Sequence, residues 1–429
     1  MILIKNCAIL PMTGPHDFME QGYIVIKDEK IKDMGRGQPP GEAAFNEVID
    51  AQGMLAMPGM INTHTHIAMT LLRGYADDLP LMEWLTTKIW PLEDKLQPED
   101  VYWGTMLGIV EMIKSGTTCF ADMYFFMDEV AKAVEESGMR ACLSRGMIGL
   151  GPQAETAFEE SRQLVEKWHG KAQGRIRIML GPHAPYTCPF DYLKKVANLA
   201  EELGVGIHIH LAETKTEVAN IKEQYGKSPI ELVEEAGILG SRVLAAHCVH
   251  LTEEDMEILA RYQVGVAHNP QSNMKLASGV APVPAMLNRG ITVALGTDGA
   301  ASNNNLDMID EMRTCALLHK VSSLDPTVLN AYQVLRMATV NGASVLGWTD
   351  IGMLGPGMKA DLILIDLNKP HLCPRFDVGA HLVYAAQGAD VDTVIINGRV
   401  VMQGRKLLFL DEEEIMRRVQ ERVLHLVSP

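Results

Sequence analysis

The stretch PGMINTHTHIAMT, residues 58–70, places His64 and His66 one residue apart at the end of an apolar run. In an extended strand, positions i and i+2 face the same side, ~6.6 Å apart along the backbone. Two such imidazoles can converge on one ion at ~2.0–2.1 Å per Zn–N bond. The alternative is that both are ordinary polar residues leaving a buried strand. The same spacing recurs in HIHLAE as His208 and His210, with Glu213 three residues further on. His210 stands at the strand's C-terminal end. His208, one pleat earlier, reads as a satisfied interior histidine. Asp298 in ALGTDG can cap a following helix, hold a metal, or do both. Three histidines and a carboxylate form a donor set suited to Zn²⁺, with Fe²⁺ or another divalent ion as alternatives. An ion with an open position makes water nucleophilic near neutral pH, so the chemistry would be hydrolytic attack on an electrophilic carbon. Glu213 is then either a solvated loop residue or a proton shuttle beside the ion.

Something must bring these residues together. Eight short apolar runs cover 57–66, 116–124, 140–148, 175–186, 204–213, 242–250, 263–270 and 291–299. Amphipathic stretches such as FDYLKKVANLAEELG separate most of them. Eight strands alternating with helices over about 290 residues fit an α/β fold of the (β/α)8, or TIM-barrel, type better than an open sheet. In such a barrel the C-terminal strand ends build the site. They carry His64 and His66, then His183, then His210 with Glu213, then His247, His268 with Asn269, and Asp298. Histidine is not a preferred core residue, so packing explains this pattern poorly. Short β-branched alternating runs fill the first fifty-odd residues and return at 360–368 and 392–405, the latter with an Asn397–Gly398 hairpin signal. The two ends are expected to pair into a small β-sandwich. The expected division is 1–56 and 346–429 for that sandwich, with a terminal amphipathic helix, and 57–345 for the barrel.

Composition narrows the partners. The chain has 429 residues, and Lys+Arg 38 against Asp+Glu 54 leaves a formal net charge of −16. That balance disfavours nucleic acid and anionic membrane surfaces and points to a small-molecule partner. Seven scattered cysteines with no C-x-x-C pair read as reduced thiols in a cytoplasmic protein. The N-terminus does not read as a signal peptide, and no apolar run reaches the ~18 residues of a membrane helix.

The motifs PGMINTHTH, HIHLAE, AAHCVH, HNPQSNMKLASG and GTDGAASNNNLDM, closed by IGMLGPGMKADLILID, resemble the amidohydrolase superfamily. More narrowly, with LLRGYADDLPLMEWLTTKIWPLEDKL at 71–96, the chain resembles the 5-methylthioadenosine/S-adenosylhomocysteine deaminases. The resemblance covers essentially the whole chain. It implies a barrel with a small β-sandwich from both termini, and His64, His66, His210 and Asp298 as metal ligands. It further implies that Glu213 protonates a ring nitrogen while His247 and Asp298 help deprotonate water. Glu93, Arg145 and His183 match substrate-holding positions. His183 stands where binuclear members carry a carboxylated lysine, which implies one metal per chain. Trp84, in the long loop before Glu93, either faces the substrate or packs in a helical lid. Arg145 either pairs with a substrate carboxylate or belongs to a structural ion pair. The expected reaction is hydrolytic loss of the 6-amino group of an adenosine derivative such as S-adenosylhomocysteine or 5′-methylthioadenosine. A guanine, adenosine or triazine substrate, including displacement of chloride, is the alternative within the superfamily; a non-catalytic scaffold is the alternative outside it. The deaminases with an H-x-E…P-C-x-x-C signature are excluded because no such cysteine pair exists. Homo-oligomer formation is left open by the sequence.

Overall fold

The structure, a computed structural model, describes residues 1–427 except 38, 40 and 42–44. Eight strands, Met60–Thr65, Thr117–Tyr124, Arg140–Met147, Ile176–Pro182, Gly206–Leu211, Val243–His247, Gly265–His268 and Val293–Leu295, pair in sequence order, every pair parallel. Helices cover their outer side, so the strands are buried on both faces and read as apolar runs rather than alternations. Each of the eight runs contains one of these strands.

The ring closes without a regular ladder between its first and last strands. Thr63 Oγ1 donates to the Leu295 carbonyl at 2.8 Å, Thr297 N to Asn62 Oδ1 at 3.0 Å, and Asp298 N to the His64 carbonyl at 2.9 Å. Gly296 is required at this seam: a Cβ there would lie 2.6 Å from Asn269 Oδ1 and 2.8 Å from His64 N. Closure therefore sets the first two histidines directly against Asp298.

The chain ends build a separate mixed sheet. Ile2–Ile9, Met19–Lys27, Lys30–Arg36, Glu47–Asp50 and Met54–Pro58 come from the N-terminus; Leu362–Asp366, Val391–Ile396, Arg399–Gln403 and Lys406–Leu407 come from the C-terminus. The halves join where Leu362–Asp366 runs antiparallel to Met54–Pro58. One buried cluster takes Ile24 and Ile31 from one end of the sheet and Ile395 and Val400 from the other, so the sheet folds over a core of its own. The hairpin turns at Asn397 and Gly398, both with positive φ.

A buried ion pair ties this sheet to the barrel. Arg140, at the start of the third barrel strand, donates from Nε to Asp361 Oδ2 at 2.6 Å, and Asp361 also accepts from Asn397 N at 2.7 Å. The helix Glu412–Val427 packs instead on the barrel helix Pro98–Ser115, through Lys114–Glu412 and Arg422–Asp100 pairs. Among the described residues no helix is long and apolar enough to cross a membrane.

Candidate active site

The C-terminal ends of the barrel strands open into a largely apolar cavity onto which a few polar side chains converge, the make-up of a small-molecule site. His66, Trp84, Glu93, His183, His210, Glu213, His247 and Asp298 all line it. Its roof is the helical segment Leu81–Glu93, whose middle, Leu85–Ile89, is a π-helical turn of the kind that often marks functional sites. The Trp84 ring is buried there, and its indole N–H donates to the Ala76 carbonyl at 3.0 Å. Trp84 thus lines the cavity and also holds the roof down.

At the floor, His64, His66, His210 and Asp298 converge. Asp298 Oδ1 lies 3.5 Å from His64 Nε2 and 3.4 Å from His66 Nε2, and His66 Nε2 lies 3.3 Å from His210 Nε2. The far nitrogens explain this orientation. His66 Nδ1 donates to the Met123 carbonyl at 2.6 Å, and His210 Nδ1 to the His183 carbonyl at 2.7 Å. His64 Nδ1 contacts His208 Nε2 at 2.8 Å, so His208 sits beneath the site as a support. With each Nδ1 committed, the Nε2 lone pairs face one another. His64 Nε2 is buried without any hydrogen-bond partner. Opposed lone pairs and an orphaned buried nitrogen are unfavourable alone and fit a cation held between them. Burial keeps two of the imidazoles in the neutral, ligating form: His64 is pushed down to about 4, and His210 well below its ordinary value.

Beside the floor stands a pair of buried titratable side chains. His247 Nε2 lies 3.8 Å from Glu213 Oε2. Burial opposes charge on His247, but the Glu213 and Asp298 carboxylates outweigh it and raise its pKa. Burial raises the Glu213 carboxyl above the usual range. For Asp298 burial is likewise outweighed, by His64, His66 and His247, and its carboxyl stays well below the ordinary value. The backbone leaves strands five, six and eight through strained residues: Ala212, His247 and Asp298 have φ of 50°, 70° and 65°. Such strain collects where side chains must be aimed.

Several supports carry no clear sequence signal. Glu217 accepts from the amides of Ala212 (3.0 Å) and Glu213 (2.7 Å), fixing the turn that aims Glu213. Asn273 Oδ1 is 2.9 Å from His247 Nδ1, and Ser272 Oγ donates to Asp298 Oδ2 at 2.6 Å. Both lie inside HNPQSNMKL, but only the fold shows what they touch.

Two of the residues singled out in the sequence behave differently. His268 is buried and does not line the cavity; its Nε2 lies 3.0 Å from His319 Nε2, beside Cys315. Arg145 leaves strand three outside the inner cavity, with Nε donating to Glu160 Oε2 at 2.7 Å. Of its two readings, the ion pair exists in the structure. His183 Nδ1 is 2.8 Å from Thr187 Oγ1, which turns its other edge to the cavity. Glu93 stands at the rim, where burial raises its carboxyl against the opposing influence of the Tyr124 hydroxyl.

The amidohydrolase family profile matches residues 55–401. Over 429 residues the chain is 59% identical to a 5-methylthioadenosine/S-adenosylhomocysteine deaminase of Syntrophomonas wolfei, covering 100% of this chain and 99% of that one. A 5′-deoxyadenosine deaminase of Methanosarcina mazei is 53% identical over 100% of this chain and 98% of its own. Among solved structures, an adenosine deaminase from Xanthomonas campestris with bound zinc superposes with a TM-score of 0.94 at 36% identity, covering 99% of this chain and 98% of that one. An atrazine chlorohydrolase from Arthrobacter aurescens complexed with zinc gives 0.92 at 25% identity, over 99% and 100%.

Proposed function

This chain belongs to the amidohydrolase family, and from that premise we propose that it is a zinc-dependent aminohydrolase that removes the 6-amino group of adenosine derivatives as ammonia. S-adenosylhomocysteine would give S-inosylhomocysteine, and 5′-methylthioadenosine would give 5′-methylthioinosine. The observation that carries this is the convergence of three imidazole Nε2 atoms and Asp298 on the floor of a cavity whose wall holds Glu213 and His247, 3.8 Å apart. High identity to deaminases along the whole chain favours this reading over the chlorohydrolase and scaffold alternatives. The protein is assigned to the cytoplasm, with a nucleoside as its small-molecule partner.

His64, His66, His210 and Asp298 would hold one zinc ion. Bound there, the ion supplies a Lewis acid that makes water nucleophilic at neutral pH. His247, with Asp298, takes the proton from the attacking water. Attack at C6 leaves negative charge on N1, and Glu213, whose carboxyl burial keeps prone to protonation, donates a proton there. The amino group then takes up the proton held by His247 and leaves as ammonia, while the added hydroxyl returns a proton to Glu213 as the C6 carbonyl forms. Glu93 accepts hydrogen bonds from the ribose 2′- and 3′-hydroxyls, His183 contacts the base, and Trp84 closes the wall. Arg145 borders the 5′ end.

The test is a substrate panel followed by ammonia release. Both thioether nucleosides should be deaminated with higher kcat/KM than adenine or guanine. Efficient turnover of a free base or a chlorotriazine, with neither nucleoside used, overturns the assignment.

A further inference from the structure

A second, outer cavity adjoins the first and shares Trp90, Glu93, Phe125 and Ile148 with it. If Glu93 holds the ribose hydroxyls, as proposed above, a 5′ substituent leaves the sugar toward this outer space. Its lining holds five carboxylates, Glu93, Asp94, Asp128, Glu129 and Glu160, against one cationic side chain, Arg145. Lys167 and Lys132 reach Asp128 and Glu129 from outside, at 2.8 and 2.6 Å.

Arg145 already has partners. Its Nε donates to Glu160, an Nη1 N–H goes to the Gly146 carbonyl, and the guanidinium lies 5.4 Å from the Phe125 ring centroid. The Arg145 side chain is 10% exposed, whereas that of Glu160 is 47% exposed. Glu160 projects from the helix Ala154–Trp168, which packs on strand three. An incoming carboxylate would have to compete with Glu160 for the guanidinium and enter a space already rich in negative charge. An uncharged substituent meets neither cost, and Phe125, Ile148, Trp90 and Leu150 offer it apolar contact.

We infer that Glu160 is a specificity-determining residue: it occupies Arg145 and thereby favours adenosine derivatives with a small uncharged 5′ substituent over those with an amino-acid tail. This deepens the proposed function and rests on it.

The experiment compares kcat/KM for 5′-methylthioadenosine and S-adenosylhomocysteine in the unmodified holoenzyme, Glu160→Gln, Glu160→Asp, and Glu160→Gln combined with Arg145→Met. Unmodified enzyme should prefer methylthioadenosine. Glu160→Gln should raise the S-adenosylhomocysteine to methylthioadenosine ratio by about fivefold or more, mainly through KM, because it frees a charge-assisted partner for the tail. Glu160→Asp, which keeps the charge, should move the ratio less, and adding Arg145→Met should erase the gain. A ratio unchanged within about twofold in Glu160→Gln, or a gain that survives Arg145→Met, overturns the inference while leaving nucleoside deamination intact. Inactivity toward both nucleosides would overturn the functional reading itself, and this inference with it.

Discussion

Replacing Glu213 by Gln separates the metal floor from the proton transfer above it. Gln has nearly the same shape, keeps an oxygen to accept from Ser278 Oγ, which lies 3.3 Å from Glu213 Oε1, and can still offer N–H to a ring nitrogen. What it cannot do is give up a proton. Substrate binding should therefore change little, whereas the transition state loses the neutralisation of N1. General acid catalysis of this kind contributes about 10²–10⁴-fold, so kcat should fall by at least about a hundredfold, close to 3 kcal/mol. Metal should stay, because Glu213 does not belong to the converging group of His64, His66, His210 and Asp298. The Glu213 carboxylate also helps to lift the pKa of His247, 3.8 Å away, so residual activity should titrate at lower pH. The assay is the change of adenine to hypoxanthine absorbance, with metal content measured on the same sample. A variant with one metal per chain and kcat within about threefold of the parent would show that the proton comes from elsewhere, leaving Glu213 as a part of the cavity wall only.

Three further outcomes are expected. Chelation should abolish activity and zinc should restore it, while His66→Ala should lose both metal and turnover; two stoichiometric metals in active enzyme would contradict the single floor site. Burial pushes the Glu217 carboxyl up to about 7, so the folded state binds its proton more tightly than the unfolded state does. The stability this contributes is present below pH ~4.5 and lost as pH rises through about 7. Relative to Glu217→Gln, the unmodified protein should thus lose ~3 kcal/mol of unfolding free energy over that window, and a pH-independent difference between the two would refute it. Arg140→Met should lower stability by about 3–5 kcal/mol in denaturant unfolding, because it strands Asp361, 2% exposed, without its guanidinium; a loss under about 1 kcal/mol would mean that water replaces the pair.

The barrel was legible because a strand buried on both faces has to be a short apolar run, and eight such runs separated by amphipathic helices permit few other closures. The terminal sheet was legible for a different reason. Its strands alternate or carry β-branched runs, and Asn397–Gly398 demands a turn with two positive φ values. The route by which the halves join was not legible. The pairing of Leu362 with Pro58 spans some three hundred residues, and no local propensity encodes it. The Arg140–Asp361 pair that fastens this sheet to the barrel is long-range in the same way.

In the site, what could be read follows from position along a strand: i and i+2 share a face, and the last such residue reaches the cavity. That rule separates His210 from His208, and it brings His64 and His66 to one side. It fails for His268, which also ends a strand yet turns outward to His319, a helix residue some fifty positions later. It cannot see Glu217, whose work is to accept two backbone amides, or Glu160, whose effect is exerted through another side chain. The metal floor depends on where each strand stops, which periodicity records. The selectivity of the outer cavity depends instead on which carboxylate reaches Arg145 first, and a helix packed on the barrel's outside decides that.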